Sequence, residues 1–111
     1  MISIRRFALG PCLMLGLAAT ASANDTGFAT TTHDVRREGG RLCIVGHTHG
    51  GSGTAGTKGV ALVGAIKAFV DTTRDEYGSD WANWGKSASK QVSYTKTADG
   101  WTAAAEARPC K

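Results

Sequence analysis

The sequence predicts an α+β fold: a small antiparallel sheet with one main helix and a short second helix, in the order strand, helix, helix, strand, strand, stapled by a disulfide. Three observations carry this expectation. Apolar residues between Thr57 and Tyr77 recur at helical spacing, the C-terminal stretch alternates on either side of a turn dipeptide, and an even pair of cysteines remains once an N-terminal export signal is set aside.

The export signal comes first. Met1 to Arg6 is a short basic region, Phe7 to Thr20 is apolar and uncharged, and Ala21-Ser22-Ala23 is an A-x-A cleavage site, so residues 1–23 read as a cleaved signal peptide. The apolar run is shorter than the roughly 20 residues needed to span a bilayer, and it contains Gly10, Pro11 and Gly16. Cys12 leaves with the signal. No later apolar stretch is long enough for a span, since Gly59 to Val70 is short and carries Lys67. The mature protein is expected to be periplasmic or secreted, with no membrane contact after cleavage.

Composition narrows the function classes. Thirteen Lys and Arg against nine Asp and Glu give +4. Loss of Arg5 and Arg6 leaves eleven basic residues, hence +2, too mild to argue for nucleic acid or an anionic membrane. The chain of 111 residues is too short for a doubly wound cofactor fold, a barrel or two domains. Fifteen glycines against two prolines point to a loop-rich, small-residue protein.

Residues 24–40 are polar and without periodicity, and read as a flexible lead-in to a single domain at 41–111. Arg41 to Val45 is a short β-forming run bounded by Gly40 and Gly46, which predicts a strand. Gly46 to Gly59 is dominated by glycine and polar residues and reads as a loop. In the helix that follows, Leu62, Ile66, Phe69, Thr73 and Tyr77 share one face, Val63 and Val70 widen it, and Gly78 supplies a C-cap. Ser79 or Asp80 can cap a short helix carrying Trp81, Trp84 and Ala88. Gln91 to Lys96 alternates, Asp99-Gly100 is a strong turn dipeptide, and Trp101 to Ala107 returns. Ile66, Phe69 and the three tryptophans are the expected core. In an oxidising compartment Cys43 and Cys110 are expected to pair, closing a loop of roughly 68 residues worth about 4 kcal/mol in the chain-entropy model.

Few motifs carry chemistry. Gly51 to Gly56 matches G-x-G-x-x-G but does not follow the strand directly and lacks a second parallel strand, so it reads as a connector. Thr57 before Lys58 breaks the phosphate-loop pattern, and Thr54 breaks the nucleophile elbow around Ser52, which has no identifiable base. Asp71, Asp75 and Glu76 fit an exposed helix face. Lys86, Lys90, Lys96 and Arg108 lie near Tyr94, but Asp80, Asp99 and Glu106 dilute them into a solvated surface. His47-Thr48-His49 is the most suggestive item. If the first strand runs that far, residues two apart share a face, and two imidazoles can hold Zn²⁺ or Cu²⁺. A stable site needs further ligands, for which His33, Asp34 or a tail residue is available.

Together, His47-Thr48-His49-Gly50, Ala65-Ile66, Glu76-Tyr77-Gly78, Trp81-Ala82-x-Trp84, Ala88-x-Lys90 and Ala107-Arg108-Pro109-Cys110 resemble a group of small exported proteobacterial proteins with no assigned activity. The resemblance covers roughly Gly46 to Cys110 and implies export and a compact α+β module. It also implies further cysteines in relatives at positions matching Ser93 and Ala103, a second disulfide missing here as a unit. The expected function is a non-catalytic exported module acting by surface contact with a protein or envelope component. A divalent metal-binding module using His47 and His49 is the alternative, and a small hydrolase a weaker one.

Overall fold

A computed structural model describes residues 24–111; the expected signal peptide lies outside the described residues. The chain forms α1 (Phe28–Thr32), β1 (Val35–Glu38), β2 (Arg41–Ile44), β3 (His49–Ala55), α2 (Lys58–Tyr77), two 3₁₀ turns (Ser79–Trp81 and Trp84–Lys86), β4 (Ala88–Thr97) and β5 (Gly100–Arg108). The strands make two antiparallel sheets, β1-β2 and β3-β5-β4. The α+β class, the main helix and the terminal hairpin follow the sequence expectation.

Helix α2 begins and ends where its capping residues dictate. The Thr57 hydroxyl accepts from the Val60 N–H at 3.3 Å, and the N–H of Gly78, at φ 103°, donates to the Arg74 carbonyl at 2.9 Å. Phe69, Thr73 and Tyr77 are buried as their spacing predicts, but the deepest contact upstream is made by Ala61 and Ala65, leaving Leu62 and Ile66 half-buried.

That rotation of the buried face comes from the largest departure from expectation. The stretch predicted as a glycine-rich loop is strand β3, paired with β5 from His49↔Ala107 to Ala55↔Trp101. Gly51 and Gly53 lie on the side facing α2. A Cβ on Gly51 would come within 3.0 Å of Ala65 O, Phe69 N and Ala68 Cβ, and one on Gly53 equally close to Ala61 O, Ala65 N and Gly64 C. Strand and helix backbones therefore touch, with Ala61, Ala65, Ala103 and Ala105 forming a small-residue core between them. The G-x-G spacing serves this approach.

Three other expectations are corrected. Residues 24–40 include α1 and β1, and Ala29 packs with Ile44, Tyr77 and Trp81 in the second cluster of the core. Trp81 and Trp84 sit on separate 3₁₀ turns, and Ala88 opens β4 instead of closing a helix. Of the tryptophans only Trp81 is fully buried; Trp84 and Trp101 are half-buried at the edge of the alanine core.

The C-terminus joins the sheets. Leu42 and Lys111 exchange both backbone hydrogen bonds at 2.8 Å, which sets Cys43 directly opposite Cys110, and the disulfide closes there with S–S 2.04 Å. One step back, Arg108 forks onto Glu38 at 2.6 and 2.8 Å while donating to the Ile44 carbonyl. Ser93 opposes Ala104, whereas Ala103 opposes Tyr94. Positions 93 and 103 thus lie on opposite faces of the sheet, and a cross-strand bridge would join 94 to 103. No helix among the described residues is long and apolar enough to cross a membrane.

Candidate metal centre

The first residue of β3 projects to the α2 side, and this is what buries His49. Its ring stacks on Tyr77 at 4.8 Å between centroids and 17° between planes. Helix spacing places Thr73, Glu76 and Tyr77 on one side of the last turns of α2, and all three meet this ring. His49 Nδ1 lies 3.0 Å from Thr73 Oγ1, and Nε2 lies 2.7 Å from Glu76 Oε1. The imidazole is 6% exposed and the Glu76 carboxylate 51%, so the pair runs from core to surface.

His47, in the link just before β3, meets His49 edge-on with ring centroids 5.3 Å apart. One ligand atom each from His47, His49 and Glu76 falls within 4.8 Å of the others. His33 completes the cluster: it stacks on His47 at 4.5 Å, and its Nε2 shares a 2.9 Å hydrogen bond with the Tyr77 hydroxyl. All three histidines of the chain therefore converge on the C-terminal end of α2.

The electrostatics favour neutral imidazole at the centre. Burial pushes the His49 pKa down, against the opposing pull of the Glu76 carboxylate and with a smaller push from His47 and His33. Burial, with the Glu76 charge beside it, pushes the Tyr77 phenol up to about 12, so it remains a protonated hydrogen-bonding partner for His33.

A tetrahedral ion with bonds of about 2.0–2.1 Å sets its ligand atoms roughly 3.3 Å apart. His49 Nε2 and Glu76 Oε1, at 2.7 Å, need only open slightly to share one ion, and the His47 donor, within 4.8 Å of both, has to close in. The Thr73 hydroxyl can donate to Nδ1 while Nε2–H bonds Glu76, or accept from Nδ1–H once Nε2 is given to an ion.

The sequence pair His47 and His49 is thus brought together, as is the candidate third ligand His33; the Asp34 carboxylate forms no hydrogen bond or ion pair with the cluster among the described residues. Glu76, read as an exposed helix residue, is the one that sequence reasoning missed. Its signal was position: it follows Thr73 by three residues and precedes Tyr77 on the turn that ends at Gly78. Ser52 points to the opposite face of β3 from His49, so no serine–histidine–carboxylate set forms around it. Comparison with protein-family models, curated proteins and solved structures finds no match for this chain.

Proposed function

We propose that this protein binds a divalent transition metal, Zn²⁺ or Cu²⁺, through His47, His49 and Glu76. The observation that carries the reading is the closure of three donor atoms from two separate segments within 4.8 Å. A histidine bonded to Thr73 and Glu76 serves packing whether or not an ion arrives. His47 packs by its ring against His33 and His49, yet its ring nitrogens have no hydrogen-bond partner among the described residues, which leaves them available as donors beside the other two. Nitrogen and carboxylate ligands together suit Zn²⁺ and Cu²⁺. The two segments that meet here, His47-Thr48-His49-Gly50 and Glu76-Tyr77-Gly78, are also two that carry the resemblance to exported proteobacterial proteins.

The protein handles this ion after export, in the periplasm or outside the cell. The Cys43–Cys110 bridge is at home in an oxidising compartment. Three protein ligands leave a coordination position for water or a partner's group. Calorimetric titration of the oxidised protein with Zn²⁺ and with Cu²⁺ tests the reading. Micromolar or tighter 1:1 binding is expected, falling at least about 100-fold in His47→Ala/His49→Ala. Equal heats from the two proteins would end the proposal.

A further inference from the structure

Strand β4 is one of the two edge strands of the sheet β3-β5-β4, the one away from the histidine cluster. It is ten residues long, and every residue from Ser89 to Lys96 is exposed. Because α2 covers β3 and β5, the α2-side face of β4 lies open, with Val92 40% and Tyr94 38% exposed. A long uncovered edge presents a row of unpaired backbone N–H and C=O groups, which natural sheets cover, shorten or use.

Lysines gather around this edge; the acidic groups near it are Glu106, opposite Gln91 on the face away from α2, and Asp99 in the turn. Lys58 Nζ lies over both the Tyr94 and Trp101 rings, 5.2 and 4.5 Å from their centroids. Lys96 Nζ sits 4.9 Å from the Trp101 centroid, and Lys90 Nζ 6.0 Å from that of Trp84. None of these lysines forms an ion pair among the described residues, and β4 carries no carboxylate. The strand thus has an apolar centre, Val92 and Tyr94, between two cationic ends held against aromatic faces.

We propose that the β4 edge takes up an extended acidic segment of a partner protein as a fourth strand, its backbone pairing with β4 and its carboxylates meeting Lys58, Lys90 and Lys96. Backbone pairing supplies affinity and alternate side chains supply choice of partner. A second copy of this chain suits the edge less well. Antiparallel self-pairing centred on Ser93 sets Lys90 of one copy against Lys96 of the other, and the equally long register centred on Val92 still brings two lysine-bearing edges together, where like charges are destabilising.

The test uses two ten-residue peptides, one alternating valine with glutamate and one alternating valine with lysine, titrated into the oxidised protein. The glutamate peptide is expected to bind, to weaken at least 10-fold in Lys90→Glu/Lys96→Glu, and to slow amide hydrogen exchange along β4. The altered lysines are exposed, so far-ultraviolet circular dichroism of the variant is expected to match the parent. Equal binding of the lysine peptide, no binding of either, or protection elsewhere than β4 would each overturn the proposal. So would concentration-dependent self-association that blocks the edge.

Discussion

His49 answers two requirements with one ring: it fills space beneath Tyr77 and it holds Nε2 against Glu76. Thr73 is the residue that lets it do both, because a hydroxyl can donate or accept. Thr73→Val keeps the shape and removes the partner of Nδ1. Metal affinity is expected to fall about 10–100-fold with His47, His49 and Glu76 all present. Chemical denaturation should show a loss of about 1–3 kcal/mol from the buried unpaired nitrogen. An unchanged affinity in the titration would mean that Thr73 does not position the ligand. At this scale the sequence disclosed half of the site. The i, i+2 histidines were picked out on the premise that the first strand runs through them; that strand ends at Ile44, and His47 meets His49 from the link before β3. Glu76 was not, since a glutamate on a polar helix side looks the same whether or not a strand end faces it. His33 was assigned to a flexible lead-in because nothing local in Thr30-Thr31-Thr32 marks the helical turn that delivers it.

Among the elements, β3 and α2 depend most on each other. Gly53→Ala would drive a methyl into the Ala61 carbonyl and the Ala65 backbone, so a loss of at least about 2 kcal/mol is expected. Gly50→Ala is the control. It sits on the other face, where a Cβ meets only Ala105 O at 3.5 Å, and its melting temperature should stay within about 2 °C of the parent. Similar losses in the two variants would show that backbone contact does not explain the glycines. The helix and the terminal hairpin were legible because each carries its own stop signals, Gly78 and Asp99-Gly100. Strand β3 was hidden because its inward residues are glycines, which have no side chain to alternate. Its existence is decided by the alanines of α2 and β5, far away in the chain.

For the molecule as a whole, the C-terminal tail ties the two sheets. Reducing Cys43–Cys110 is expected to cost about 4 kcal/mol, a large part of a small domain's stability, and to lower the melting temperature by about 20 °C. A melting temperature indifferent to reductant would contradict this. The Arg108 guanidinium holds the Glu38 carboxyl down to about 2 from its ordinary 4.5. A carboxyl with a depressed folded pKa contributes fully above about 4.5 and loses that contribution as the pH falls toward 2. Glu38→Gln should therefore flatten the acid limb of the stability curve over that window and leave its neutral shape alone. Pairing of the cysteines was readable from the even number left once the expected export signal is set aside. The way the tail crosses from one sheet to the other was not, because Leu42 and Lys111 meet through backbone groups that every residue carries.

X-ray absorption at the zinc edge tests the metal centre most directly. The account predicts a single site with two imidazole nitrogens and a carboxylate oxygen, losing one nitrogen in His47→Ala and the protein oxygen in Glu76→Ala. A shell of oxygens without imidazole scattering, or a spectrum unchanged by both substitutions, would contradict it.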